Sequence, residues 1–391
     1  MSLLRVLVVH NAYQHRGGED SVVDTEIAML RSRGHEVALY QRHNDDVAGM
    51  SKIELVRSTF WSPKTLDDIA LQVRDFRPDV IHVHNTFPLI SPSVYQAAHL
   101  ARIPVIQTLH NFRLLCPQAM FLRDGKVCED CLGKSPWRAV TRRCYRGSVA
   151  QSGVLAGMLV FNRFRGVYVN KVSKYITLSS FAKAKFVHGG LPASRFVIKP
   201  NFVPDLAVPD YSSPRNSLLF VGRLSEEKGL SVLAQAFNAK THGVLRVAGT
   251  GTESAQIEGL AGVEMLGALK PLEVRAQMDS SLALVLPSIC YENMPMTLLE
   301  AYAAGLPVIG SRLGALVDLI EDGVTGLLFE PSDPVDLQAK LTWAVQNPEA
   351  MLQMGKNARS LYLEKYTPEQ NYAQLIKIYQ TAIDEKKGAL A

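Results

Sequence analysis

Two successive series of short apolar runs, each run separated from the next by a helical pattern, constrain this chain more than anything else in it. The first series begins with Leu3–Val9 and continues through Glu36–Tyr40, Asp79–His84, Val105–Leu109 and Tyr175–Leu178. A run that is apolar on every residue suits a strand covered on both faces, as in a parallel sheet. Between the runs lie helical patterns such as Glu19–Arg33, closed by Gly34, and Pro92–Ala101. Strands alternating with helices predict βαβ units. The second series comprises strand Ser217–Val221, helix Leu230–Ala239, and strands Val244–Ala248, Val263–Leu266, Ser281–Leu286, Pro307–Ile309 and Gly326–Phe329. Two helical segments close the chain, one on each side of Thr367-Pro368. Between the two series stand Pro200, Pro204, Pro209 and Pro214, with Ser212-Ser213 among them, and these predict an interdomain linker.

Length agrees with that division, because 391 residues are long for one core and comfortable for two. The longest uncharged, apolar-leaning piece, Gly147–Asn162, is too short to span a bilayer. The N-terminus lacks a charged region followed by an apolar stretch and a cleavage site, so a cytoplasmic protein is expected. Net charge is +5, but residues 101–200 carry 17 Lys and Arg against three acids, a local balance of +14. A basic block in one domain implies an anionic partner such as a membrane surface, a lipid phosphate or nucleic acid. No nucleic-acid motif accompanies it, so nucleic acid is the least favoured of these.

The stretch with the most chemistry is Ser288–Pro307, SICYENMPMTLLEAYAAGLP. It leaves a strand and enters a helix, with Pro295 expected at the first helical position, where a missing N–H costs nothing. Glu292 then lies in the loop at the carboxyl end of the strand, and Glu300 about one turn inside the helix. In an open α/β sheet that crevice is where ligands bind. The N–H groups of Met294, Met296 and Thr297 would form a small anion site at the helix N-terminus. Two carboxylates flanking an anion site suit a ligand with hydroxyl groups on both sides of a phosphate. A nucleotide sugar has that shape.

Three further positions carry chemistry. Phe220–Leu230 ends a strand with Gly222, Arg223 and Lys228, where a guanidinium fork and a compact ammonium can hold phosphate oxygens. Gly17-Gly18 precedes a helix, a place where a ligand can approach the backbone, and Gly249 sits in a turn after another strand. His110 follows the strand Val105–Leu109, with His84 as a second candidate and His82 read as a core histidine. No Asp-x-Asp triplet occurs, so a metal clamp of that kind on a diphosphate is missing from the sequence.

Glu292-x7-Glu300, followed by Ala301 and Gly305-Leu306-Pro307-Val308, together with Phe220–Leu230, resembles retaining glycosyltransferases of the GT-B fold, family 4. The resemblance runs over nearly the whole chain and is strongest from Phe220 to Phe329. It implies an α/β fold of two Rossmann-like doubly wound domains facing across a cleft. The domains are expected at residues 1–203, with a Cys-rich insertion at about 111–150, and 204–367. By resemblance alone, 368–391 is a C-terminal helix returning to the first domain. It also implies transfer of a sugar from a nucleotide diphosphate donor to a saccharide or lipid-linked acceptor held by the first domain, in cell-surface polysaccharide or glycolipid synthesis. Arg223 and Lys228 take the place of a metal ion against the leaving diphosphate. The resemblance gives Glu300 the ribose, Glu292 with the backbone of Asn293, Met294, Pro295 and Met296 the sugar, and His110 a sugar hydroxyl. Gly17, Gly18, Gly222 and Gly249 line the donor. The commoner form Glu-Gly-Phe-Gly is here Glu292-Asn293-Met294-Pro295, a departure that bears on which sugar is used. A sugar-nucleotide epimerase and a non-catalytic binder of nucleotide sugar or nucleic acid are the alternatives.

Cys116, Cys128, Cys131 and Cys144 form C-x11-C-x2-C-x12-C within an Arg-rich insertion. The Cys128-x2-Cys131 knuckle is a usual half of a tetrahedral zinc site, and the outer cysteines could complete it. The same ligands suit an iron–sulfur cluster, and four plain thiols are the third reading. Arg138, Arg142, Arg143 and Arg146 lead into the apolar segment that ends at Phe161, with Arg163 and Arg165 following. That order predicts a helix lying at the inner face of a membrane, or a core helix flanked by solvated arginines.

Overall fold

The structure is a computed structural model and describes residues 3–212 and 215–388. It divides into two compact units. One contains the chain up to Met120, Glu129–Lys199 and Asn371 onward; the other contains Phe121–Cys128 and Pro200–Gln370. Of the expected linker, Ser213 and Pro214 lie outside the described residues.

In the first unit the strands are β1 (Arg5–Ala12), β2 (Glu36–His43), β3 (Val80–Asn85) and β4 (Val105–Thr108). A two-stranded antiparallel hairpin of the second unit, β5 (Leu122–Arg123) and β6 (Lys126–Val127), interrupts the series. It resumes with β7 (Lys174–Thr177) and β8 (Phe196–Ile198). The sheet runs β2-β1-β3-β4-β7-β8, and every pair in it is parallel. All six residues of β3 are buried, as a strand with helices on both faces requires. Strand order reverses between β1 and β3, which places the ligand crevice of this sheet at their carboxyl ends.

The helix Gly18–Ser32 follows β1. The Asp20 carboxylate accepts the Gly17 N–H at 2.8 Å, satisfying a donor at the helix start. Val22, Val23, Ile27 and Leu30 form its buried stripe, each side chain contributing about 1.5–3 kcal/mol of burial. The chain leaves the helix through Gly34 at φ +88°.

The second unit repeats the plan with β9 (Ser217–Val221), β10 (Val244–Ala248), β11 (Val263–Gly267), β12 (Ser281–Leu286), β13 (Val308–Ser311) and β14 (Gly326–Phe329). Their order is β11-β10-β9-β12-β13-β14, all parallel. The reversal here falls between β9 and β12. The loops after those two strands are Gly222–Gly229 and Pro287–Pro295.

Three local expectations differ from the structure. Pro295 is the N-cap of the helix Met296–Ala303, with extended backbone, rather than its first residue. The helix from Leu230 ends at Ala236, and a short turn Ala239–His242 follows, because the Asn238 side chain takes the Lys240 N–H and restarts the chain. Three helices rather than two close the chain: Pro334–Gln346, Pro348–Lys365 and Pro368–Gly388. Pro348 disfavours helical backbone at Asn347 and so separates the first two. From Val149 on, the segment Gly147–Asn162 lies in a helix, Val149–Phe164, which buries Leu155, Met158 and Leu159 against Phe60, Phe87 and Tyr145.

Candidate functional site

In the second unit the loops after β9 and β12 are locked together by backbone. Ile289 N–H donates to Glu227 O at 3.0 Å. Gly229 has φ +70°, and a Cβ there would stand 1.9 Å from Pro287 O, so no larger residue fits. Gly249, after β10, likewise abuts Gly222, where an added Cβ would lie 1.8 Å from the carbonyl oxygen. Gly222, Lys228, Gly249 and Glu292 are thereby gathered at the sheet's reversal point.

The central contact is Lys228 Nζ to Glu292 Oε1 at 2.6 Å, and the Ser288 hydroxyl donates to the same oxygen at 2.7 Å. Burial alone would pull the Lys228 ammonium down, but Glu292 outweighs it and holds its pKa above the ordinary lysine value. Burial would likewise raise the Glu292 carboxyl; Lys228 and the Ser288 hydroxyl overcome that and hold it below the ordinary carboxylate value. Both groups are therefore charged at neutral pH. Arg223 stands at the rim, its side chain 75% exposed, with Nη2 3.0 Å from Glu227 Oε1. An exposed guanidinium paired with an i,i+4 carboxylate is available to an incoming anion.

The helix Met296–Ala303 begins beside this pair in sequence. The first-turn N–H groups of Met296 and Thr297 have no intrahelical acceptor, by helix geometry. Asn201 N–H approaches Met294 Sδ at 3.2 Å, and Asn293 and Met294 are buried. Glu300 is half-buried, and burial raises its pKa, with no basic group among the described residues to offset it. A carboxylate in that setting gains from donors a ligand would bring, such as vicinal hydroxyls.

In the first unit the described groups converge on the reversal between β1 and β3. His10, near the end of β1, has Nε2 2.8 Å from Asp20 Oδ1. Asp20 also holds the Gly17 N–H, so this pair fixes the exposed Gly17-Gly18 loop. His110, half-buried after β4, has Nε2 2.9 Å from Nδ1 of the buried His84. Behind them lies Glu26, 2% exposed on the helix Gly18–Ser32, with Oε1 2.9 Å from His82 Nδ1 and 3.3 Å from His84 Nε2. Its other oxygen is 3.3 Å from Nζ of the buried Lys199, which also donates to Asn371 Oδ1 at 3.0 Å. Among the described residues Glu26, His82 and His84 have ligand atoms spaced for a cation. His82, however, spends Nδ1 on the Tyr379 hydroxyl and Nε2 on Thr108 Oγ1, and an ammonium faces the carboxylate. The cluster is a buried polar network in which Lys199 neutralises the carboxylate, while Glu26 Oε1 and His84 Nε2 lack an aligned hydrogen bond among the described residues.

Glu26, Lys199, Asp20 and Ser288 did not emerge from the sequence reading. A carboxylate at position 26 interrupts the apolar stripe of Val22, Val23, Ile27 and Leu30, and that interruption was the available signal.

The cysteines sit on both sides of the hairpin boundary. Cys116 and Cys131 are buried, and Cys128 and Cys144 half-buried. Cys128 N–H donates to Phe121 O at 2.7 Å, closing the β5–β6 hairpin. Asp130 pairs with Arg142 and, at 3.8 Å, with Arg138, which ties the Cys131 turn to the segment bearing Cys144.

Comparison with known proteins adds the lineage. The family model described as Glycosyltransferase Family 4 matches residues 16–205, and that described as Glycosyl transferases group 1 matches residues 209–361. A GDP-mannose-dependent alpha-mannosyltransferase of Corynebacterium glutamicum is 24% identical over 359 residues, 88% of this chain and 80% of that protein. Sucrose-phosphate synthase from Thermosynechococcus elongatus superposes with TM-score 0.72 at 19% identity, covering 98% of this chain and 100% of that one. Anabaena Alr3699/HepE, solved with UDP and glucose, gives TM-score 0.67 at 14% identity, covering 97% and 100%. With both of its sheets in GT-B order and both halves matched, the chain belongs to the family-4 glycosyltransferases of the GT-B fold.

Proposed function

We propose that this glycosyltransferase is a retaining, metal-independent enzyme that moves a hexosyl group from a nucleoside diphosphate sugar to an acceptor bound by the first unit. The observation that carries this reading is the charged Lys228–Glu292 pair at 2.6 Å, with Arg223 beside it, at the reversal point of the second sheet. Breaking the bond between the anomeric carbon and the phosphate oxygen leaves two electrons and negative charge on the diphosphate. Fixed cations aimed at that oxygen stabilise the charge as it develops, which is the task a metal performs elsewhere. The acceptor hydroxyl then forms the new glycosidic bond on the same face, its proton passing to the departing phosphate.

The ground-state contacts follow from the same residues. Glu300 takes the ribose hydroxyls, and Glu292 with the backbone of Asn293–Met296 takes sugar hydroxyls. His110 accepts from a further hydroxyl, and Gly17, Gly18, Gly222 and Gly249 let the donor approach the backbone. Relatives that use GDP-mannose or bind UDP and glucose make both nucleotide classes reasonable donors. Lipid-linked acceptors in polysaccharide or glycolipid synthesis suit the basic block of residues 101–200. No helix among the described residues is long and apolar enough to cross a membrane, so attachment would be peripheral. The helix Val149–Phe164 supports this with Phe164, 91% exposed, and with Arg165 stacked 4.2 Å over Trp61.

The test is a panel of UDP- and GDP-sugars with acceptor extracts, followed by NMR of the product. Transfer with the donor's anomeric configuration preserved supports the reading; inversion refutes the retaining course.

A further inference from the structure

We infer that Glu26 and His84 set the tautomer of His110, holding its proton on Nε2 so that Nδ1 is left as an acceptor for a ligand hydroxyl. Three protonation states lead to that choice. Glu26 is ionised, because His82 and Lys199 outweigh burial and hold its pKa well below the ordinary value. His84 is neutral, because burial, with His82 beside it, pushes its pKa down to about 3. His110 is neutral for the same leading reason, burial.

A neutral imidazole carries one proton on one of two nitrogens. His84 Nε2 is buried, makes no aligned hydrogen bond among the described residues, and lies 3.3 Å from Glu26 Oε1. An N–H facing a carboxylate is attracted to it, and a lone pair facing it is repelled, so the proton sits on Nε2 even though the approach is off-axis. His84 Nδ1 is then a lone pair. It lies 2.9 Å from His110 Nε2, with the ring planes 18° apart. Only an N–H on His110 can make that contact favourable. His110 therefore keeps its proton on Nε2, and its Nδ1 accepts.

Lys199 and His82 complete the device. Lys199 lies against Glu26 Oε2 and His82 Nδ1 against Oε1, with His82 in turn held by Tyr379 and Thr108, so the carboxylate is kept facing His84. Glu26 and His84 are thus positioning residues that act through His110. The ligand half of the inference rests on the glycosyltransferase reading; the tautomer half does not.

The experiment is a long-range 1H–15N correlation spectrum of the imidazoles in histidine-labelled full-length protein, assigned by loss of one ring in His110→Gln. We expect His110 as a single Nε2–H tautomer. In His84→Leu that preference is lost, and kcat/KM falls about tenfold, the worth of one neutral hydrogen bond. His84→Asn, whose amide oxygen can stand where Nδ1 stood, restores both in part. A wild-type His110 protonated on Nδ1 overturns the inference. So does a folded His84→Leu variant with the tautomer unchanged. A tautomer that behaves as expected in a protein that turns over no nucleotide sugar supports the tautomer relay and refutes the function instead. A lost tautomer preference with unchanged kcat/KM overturns the ligand half.

Discussion

Replacing Lys228 by alanine perturbs one contact with two separable consequences. The pair is largely shielded, with side chains 25% and 13% exposed, so removing the lysine leaves Glu292 charged in a desolvated place with the Ser288 hydroxyl and the exposed Arg223 as weaker compensation. Breaking a fully buried pair costs about 3–5 kcal/mol, and partial exposure brings this to about 2–3 kcal/mol. In a domain of this size, about 1 kcal/mol moves Tm by about 2–4 °C, so a drop of about 4–12 °C is expected, with the protein still folded at 25 °C.

The pH dependence identifies the cause. In the wild type the Glu292 pKa is depressed, so its stabilisation is present above the ordinary carboxylate value and lost as pH falls through the folded one. In Lys228→Ala burial is opposed only by the weaker effects of the Ser288 hydroxyl and Arg223, and the pKa rises. Its stability is then full below the ordinary value and declines as pH rises through the folded one. The Tm gap between the two proteins should be widest at about pH 7–8 and narrow towards about pH 4–5. Lys228→Met with Glu292→Gln, which removes both charges, should recover most of the Tm but not the activity. Transfer by Lys228→Ala should fall one to two decades, from loss of about 1.5–3 kcal/mol of charge-assisted contact in the transition state. Differential scanning fluorimetry across pH, beside a coupled nucleotide-release assay, measures both. A gap that does not narrow in acid, or Tm values that coincide at pH 7.5, would refute the burial argument.

Glu300→Gln should weaken donor binding about ten- to hundredfold with Tm little changed or raised, since a buried carboxylate becomes neutral; unchanged donor kinetics would remove it from the site. We propose one metal, zinc ahead of an iron–sulfur cluster, held by Cys116, Cys128, Cys131 and Cys144, so untagged protein should carry about one equivalent that falls in Cys128→Ser. Chelation should leave transfer intact wherever the fold survives in the same sample; transfer abolished in a folded protein would refute the role assigned to Arg223 and Lys228. Binding to anionic liposomes should exceed binding to neutral ones and weaken with salt, each basic side chain near the surface contributing about 1 kcal/mol; equal, negligible binding at low salt would leave a soluble acceptor.

The repeated βαβ pattern was legible because strands buried on both faces are mostly apolar, and β12 and the Val6–Val9 part of β1 read directly as such runs, while β3 carries two buried histidines among its valines and isoleucine. The second-unit loops were legible for a related reason. A turn that needs Gly229 against Pro287 O and a charge facing a phosphate leaves its residue types in a short stretch of sequence. What could not be read were the dependencies between distant residues. β8 is a three-residue strand with one fully buried position, so it carries no period of its own and exists only through its pairing with β7. Lys199, one residue beyond it, looks like an ordinary surface lysine until Glu26 and Asn371 are brought to it.

Glu26 shows why such groups hide. A helix read by its apolar stripe is scored by what agrees with the stripe, and a single carboxylate there is a small disagreement. Its meaning depends on compensation: a buried carboxylate is tolerable only with a cation and donors around it. Those partners come from β3 and from the segment after β8, 56 to 173 positions away in sequence. Periodicity therefore locates a polar network only as a fault in an otherwise regular helix. Replacing a buried ionic group by apolar residues of similar volume is often neutral or stabilising, so stability alone gives no reason for charge at this strand reversal. Orienting His110 toward a ligand hydroxyl is a purpose that such a group can serve and an apolar one cannot.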